Sequence, residues 1–144
     1  MITQTATTSF TEELLQGIHD FSNDTFKIAL YTASADLGAD TTAYTTTEEI
    51  SGVGYTAGGV TLSGVAVSSS SGVSFIAFNN AVWNPATFTA RGALIYNSSK
   101  SNRSVAVLNF GADKTSTSSF TVQMPSATAT TALIRISKGA NNGS

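Results

Sequence analysis

His19 is the one histidine of the chain. A Ser-His-Asp relay or a histidine-ligated metal would have to use it. It stands beside Asp20 at the end of a stretch of helical periodicity. No nucleophile motif lies near it, and no further His or Cys stands at ligand spacing, so it reads as a helix-surface histidine. Asp36-Leu37-Gly38-Ala39-Asp40 sets two carboxylates around a glycine. A calcium loop needs about six oxygen ligands and an anchoring bidentate acid. This spacing does not supply them, and the stretch reads as a turn with Asx-type hydrogen bonds.

Gly52-Val53-Gly54-Tyr55-Thr56-Ala57-Gly58-Gly59 is glycine-rich in the manner of a phosphate loop. It lacks the Gly-Lys-Ser/Thr end of a Walker loop. A Val60-Thr61-Leu62 strand follows it, where a dinucleotide fingerprint would open a helix. Gly52, Gly54, Gly58 and Gly59 therefore read as conformational devices, giving positive φ or close backbone approach, with Tyr55 anchored inside the loop. Arg91, between Ala90 and Gly92 at the start of a strand, could hold an anion. An ion pair, with Asp113 as one candidate partner, or hydrogen bonds to loop carbonyls fit the position better. None of these residues is assigned a catalytic, metal-binding or cofactor-binding role, so neither enzyme activity nor a cofactor is expected.

The elements that position these residues follow from periodicity. Phe10, Leu14, Ile18 and Phe21 recur at helical spacing. Ser9 with Glu12 has the form of a capping box, so a helix is expected over about residues 9–21, ending near Asp20 to Asn23. The period then changes to two. Strands are expected at Phe26–Tyr31, from Val60 with a bulge at Gly64, at Val73–Phe78, Ala81–Trp83, Ala93–Asn97, Val105–Phe110, Phe120–Met124 and Ala132–Ile136. Residues 33–49 form a long loop, Ser68 to Gly72 a turn, and Ser98 to Arg103 a polar hairpin turn. Phe75, Phe78, Ile95, Val107 and Phe120 are expected to share one core. The pattern predicts a mainly β, single-domain β-sandwich or jelly-roll-like barrel of about seven to eight strands with one N-terminal helix. Residues 1–8 are expected to be a flexible arm, 9–138 the domain and 139–144 a disordered tail.

Composition bounds the function. The 144 residues are enough for one domain with a real core and no disulfides. Only 11% are charged, against roughly 25% in ordinary globular chains. Ser and Thr take their place, 42 of 144. Short hydroxyl side chains lose little entropy when covered, which suits a surface lying against neighbours. A net charge of −2 gives no nucleic-acid footprint. The absence of cysteine excludes a disulfide scaffold and thiolate zinc sites. The N-terminus has no signal-peptide pattern, and no apolar run approaches the roughly 20 residues of a membrane span. The four Asn-x-Ser/Thr sequons, at Asn23, Asn97, Asn102 and Asn142, are then incidental.

Three blocks stand in order along the chain: Glu49-Ile50-Ser51-Gly52-Val53-Gly54-Tyr55-Thr56-Ala57-Gly58-Gly59, then Thr89-Ala90-Arg91-Gly92-Ala93 after Trp83, then Phe110-Gly111-Ala112-Asp113-Lys114. With the helix from Phe10 and the strand Phe26-Lys27-Ile28-Ala29-Leu30-Tyr31, they resemble a family of small tailed-bacteriophage virion structural proteins. The likeness covers about residues 8–125 and weakens after Pro125. It implies a particle component, best matched to a capsid decoration or cement protein that binds and stabilises a shell of major capsid protein. Such a protein would be a homo-oligomer, made in the bacterial host cytoplasm and placed on the capsid exterior of the virion. Major capsid protein, or another virion protein, is then its partner, with no nucleic acid and no membrane. Ile2, Thr3, Gln4, Thr5, Thr7 and Thr8 would form a capsid-contact arm that adds a strand to a neighbour's sheet edge. The alternative is a tail or fibre component with a host-surface carbohydrate-binding role, which would draw on exposed aromatics among Trp83 and the four tyrosines.

Overall fold

The computed structural model describes residues 1–137; the expected tail at 139–144 lies outside them. Ten strands and one helix follow in chain order: β1 Thr5–Ala6, α1 Thr8–Leu15, β2 Phe26–Tyr31, β3 Val60–Thr61, β4 Ala66–Ser70, β5 Val73–Ala77, β6 Ala81–Trp83, β7 Phe88–Asn97, β8 Arg103–Ser116, β9 Phe120–Val122 and β10 Ile134–Ser137. They form three antiparallel sheets, in the orders β1-β8-β7-β2-β3, β10-β5-β4 and β6-β9. This is the expected mainly β, sandwich-like fold with one N-terminal helix. The sheets do not close, so the barrel form is not the one adopted. The count exceeds seven or eight partly because β1 and β3 are two-residue strands, too short to give a periodicity.

The five-stranded sheet is buried on both faces. Along β2, Phe26, Ile28 and Leu30 point into the larger core while Ala29 and Tyr31 point into a second cluster, as a period of two requires. The larger core is completed by the two smaller sheets, through Ile76, Ile134, Trp83 and Phe120, and by Phe10 of α1. Phe78, Ile95 and Phe120 share it as expected, but Val107 does not. Val107 is register partner of Leu94, and both face the second cluster, whereas Ile95 and Ala106 face the first. Phe75 is buried but belongs to neither cluster.

The second cluster is roofed by Ile2, Ala35 and Leu37. Residues 1–8 are thus part of the domain, which corrects the free-arm expectation. The Met1 ammonium donates to Ala35 O at 2.9 Å, Leu37 N to Met1 O at 3.0 Å and Thr3 N to Leu37 O at 2.9 Å. β1 adds to the edge of β8, pairing Thr5 with Val107 and Ala6 with Ala106. The Asn109 side chain donates to Ile2 O at 2.8 Å. A segment with one apolar anchor is ordered here because its backbone groups find partners on an edge and a loop already in place.

The helix begins and ends earlier than its periodicity suggests. Its N-cap is Thr7, in extended conformation, whose hydroxyl accepts from Phe10 N at 3.3 Å; Ser9 lies inside the first turn. It stops at Leu15 because Gly17 adopts φ +75° and closes a Schellman motif, with Ile18 N donating to Glu13 O and Gly17 N to Leu14 O. The strand pair β7–β8 runs well past the expected Ala93–Asn97 and Val105–Phe110. The extension pairs Phe88, Thr89 and Ala90 with Ser116, Thr115 and Lys114 across an irregularity between Ala90 and Gly92. The β8 half of it is polar and mostly exposed, so it carries no hydrophobic period.

Candidate functional site

The glycine block leaves the edge of β2 and returns to it. Ile50 N donates to Leu30 O at 3.0 Å, Val53 bridges to Thr87, and β3 pairs with Lys27 and Ile28. A turn closes through Gly59 N to Thr56 O at 2.9 Å, with Gly58 at φ +97°, the sign that the third residue of a type II turn requires. Gly59 has φ +79°, and a Cβ there would lie 1.7 Å from Ile28 O; one on Gly54 would lie 1.9 Å from Pro85 O. Gly52 similarly passes close to Thr87 and Phe88. The sequence reading of these glycines is what the backbone shows.

All four tyrosines of the chain gather around this loop. The Glu49 carboxylate accepts from Tyr44 OH at 2.6 Å, from Tyr55 OH at 2.5 Å and from Gly58 N at 2.8 Å. Tyr55 OH in turn accepts from Leu30 N at 3.0 Å. Tyr96 OH donates to Gly58 O at 2.6 Å and its ring stacks on Tyr44, centroids 4.8 Å apart. Tyr31 OH donates to Thr45 O at 2.7 Å. Burial, and next to it the Glu49 charge, pushes the Tyr96 phenol up to about 12. Burial raises Tyr55 and Tyr44 further, with their hydrogen bonds to Glu49 adding to it, and burial raises Tyr31 too. These phenols keep their protons at neutral pH and serve as fixed donors. Glu49 takes two of them, Tyr44 and Tyr55, and the Gly58 N–H at once, while Tyr96 holds Gly58 O, so the arrangement clamps the 49–59 loop to β2 and β7. Glu49, Tyr44 and Tyr96 have no assigned role in the sequence reading. Their only signal is the glutamate at the head of the block, since tyrosines far apart in sequence announce no meeting point.

A second polar network starts at Asn97, the residue after Tyr96 at the end of β7. His19 is buried, 6% exposed, and sits beyond the end of α1, not on its surface as expected. Asn97 Nδ2 donates to His19 Nδ1 at 3.0 Å and to Asp24 Oδ2 at 2.8 Å. His19 Nε2 lies 2.9 Å from Glu13 Oε1 and so donates to it, as a neutral imidazole with its proton on Nε2. Arg103 reaches the other Glu13 oxygen at 2.9 Å, and Lys100 holds Asp24 at 2.8 Å. Burial pushes the Asp24 carboxyl up, but the hydrogen bonds from Asn97 and Lys100 outweigh it and hold it below its ordinary value. Every imidazole nitrogen is thereby used in fastening the 19–24 loop to the β7–β8 hairpin. The Asn97 side-chain amide is buried in the same network and is closed to modification.

Arg91 Nε pairs with Asp113 Oδ1 at 3.0 Å across the β7–β8 irregularity, the partner named from the sequence. Arg91 is half-buried and Asp113 exposed at the surface, so the pair contributes about 0–1 kcal/mol. Asp36 and Asp40 flank a turn in which Gly38 N donates to Thr41 Oγ1 at 3.0 Å. Among the described residues no group of three or more His, Cys, Asp or Glu side chains could hold a metal ion. An apolar groove of about 410 Å³ opens between Leu14 and Phe21 on one side and Ile76, Ile134, Ile136 and Val67 on the other. No family model matches the chain, and neither does any curated protein or solved structure.

Proposed function

We propose that the protein is a structural component of a tailed-phage virion, a capsid decoration or cement protein that binds the major capsid protein shell from outside. The observation that carries this reading is the fate of the Glu49–Gly59 block. It is the most characteristic part of the resemblance to the phage proteins, and its Glu49 and Tyr55 side chains are taken up in clamping the loop to the sheet. A loop built for rigidity, on a small domain with a neutral, hydroxyl-rich exterior, suits a part that must be stiff and covered by neighbours. No charged residue stands between Glu49 and Arg91, so the stretch holding β3 to β6 brings no charge of its own to be desolvated in a contact.

The residues 2–8 support the shell contact differently from the sequence expectation. Their backbone is already paired within the chain, so the strand they add is to their own sheet. Thr3, Gln4 and Thr8 remain exposed there as surface. The carbohydrate-binding tail or fibre reading is less well supported. Trp83, Tyr31 and Tyr96 are buried and Tyr44 and Tyr55 half-buried, and no Phe is exposed either, so no aromatic platform faces solvent for a sugar ring.

The test is purified particles of the phage that encodes the chain, fractionated into heads and tails. Recovery with heads, at a stoichiometry comparable to coat protein, is expected, together with re-binding of purified protein to heads stripped of it. Recovery in a few copies with tails, or from neither, would overturn the head assignment.

A further inference from the structure

We infer that the outer edge of β4 is a self-association site at which a second copy of this chain adds antiparallel, joining two β10-β5-β4 sheets into one six-stranded sheet. All five residues of β4, Ala66 to Ser70, are exposed, and among the described residues the strand pairs with β5 alone. Among the described residues its other side is a row of unpaired N–H and C=O groups. Proteins usually blunt such an edge with charge, proline, a bulge or brevity. None of these is present: the β4–β5 register runs without a shift from Ala66–Ala77 to Ser70–Val73. Other margins are protected. β1 and β3 are two residues long, β6 and β9 three, β10 carries Arg135, and the far end of β8 carries Asp113 and Lys114.

Two observations favour a second copy as the occupant. A two-fold pairing sets the edge against itself, which is tolerable only where no like charges meet; the nearest charged residues in sequence are Glu49 and Arg91. The side chains offered are three serines, an alanine and a valine, short enough to pack against their own copies and able to exchange hydroxyl hydrogen bonds. In addition, Val67 is 56% exposed and Ile136 50% exposed at the mouth of the apolar groove. Val67 shares a face with Ile76 and Ile134 through the register of both pairings. A two-fold axis normal to the sheet keeps that face on one side in both copies, so the partner's Val67 covers this one and the two grooves become continuous. The contact is isologous and closes at two copies. Five residues of strand pairing cover less than the about 1,200–2,000 Å² of a stable specific interface, so the dimer is concentration-dependent.

The inference concerns the purified chain alone and is tested without any capsid. Sedimentation equilibrium from low to about 1 mM protein is expected to show a monomer–dimer equilibrium. The double variant Val67→Lys/Ser69→Lys, at exposed positions, should weaken dimerisation at least tenfold while circular dichroism and melting stay unchanged. Ser68→Ala, which keeps the edge neutral, should dimerise as the native chain does. Isotope-edited nuclear Overhauser contacts between β4 strands of differently labelled copies are expected in the native dimer. A chain monomeric throughout, a dimer undisturbed by the double lysine variant, or a dimer without β4–β4 contacts would each overturn the inference. A monomer that still binds heads would leave the virion reading standing and assign β4 to something other than a second copy.

Discussion

Gly58 and Gly59 are neighbours with positive φ, yet they should respond differently to the same substitution. At Gly58 a Cβ meets only Tyr96 OH at 3.4 Å and Lys27 Nζ at 3.5 Å. Gly58→Ala therefore faces backbone strain alone, on the order of 1–3 kcal/mol. At Gly59 the Cβ would collide with the Ile28 carbonyl that β3 pairing fixes. Gly59→Ala should cost more than Gly58→Ala in urea unfolding, or leave no folded protein. Equal and small losses at both would mean the loop is not clamped as described. Glu49 and the tyrosines set the pH response. An unfolded tyrosine titrates near 10, while in the folded chain burial and the Glu49 charge raise Tyr96 to about 12. A raised folded value means stability that is whole below pH 10 and lost as pH climbs through about 12. Melting temperature should fall over that interval, with tyrosinate absorbance appearing together with unfolding, and Tyr96→Phe should soften the fall. Tyrosinate formation near pH 10 with the fold intact would contradict the burial of these phenols.

At the scale of elements, the N-terminal segment is the instructive one. β1 caps the β8 edge, Ile2 roofs the second cluster and Thr7 caps α1 while hydrogen-bonding Ser104 at 2.8 Å. Removing residues 2–7 therefore exposes Leu94, Val107 and Tyr31 and uncaps the helix. The truncated chain is expected to be unfolded or strongly destabilised, by more than the ~2–5 kcal/mol of a single Ile→Ala change in a core. A free arm would give the opposite result, a truncation with unchanged melting. Ile2→Ala alone separates the roofing contribution from the strand pairing. The sheet β6-β9 sits under Trp83, Phe88 and Phe120, whose rings meet at 5.1–6.4 Å. Phe120→Ala there should cost roughly 3–5 kcal/mol, whereas Phe75→Ala, outside both clusters, should cost less.

For the whole molecule, the scarcity of charge makes a prediction about binding. Of the three ion pairs formed among the described residues, Arg103–Glu13 and Lys100–Asp24 brace the network within the chain and the third is the Arg91–Asp113 pair at the surface. With only 11% charged residues and a net charge of −2, the molecule has a weak field to steer it to a partner. The proposed attachment to heads should then weaken only modestly between low and high salt, since screening acts on exposed charge pairs and barely on apolar contact or backbone hydrogen bonds. Co-sedimentation with heads at two ionic strengths checks this. A steep loss with salt would place charge at the centre of the contact and remove the neutral surface from the account.

Sequence alone determined the local geometry wherever one strand or loop carries its own signal. The period-two run Phe26–Tyr31 is a strand with those bounds, the positive φ of Gly58 and Gly59 follows from glycine being the residue that tolerates it, and the Arg91–Asp113 pair was legible from two complementary charges near strand ends. Only the tertiary structure decided where long-range partners meet. Tyr44 and Tyr55 meet on Glu49 while Tyr31 and Tyr96 hold the backbone on either side of it, buried His19 is hydrogen-bonded by Asn97 of β7, and Thr-rich residues 1–8 order themselves on β8. A polar segment has no hydrophobic period to declare its place. Its backbone hydrogen-bonding groups are the same in every residue, so which edge they fill depends on the edge that the rest of the fold leaves open.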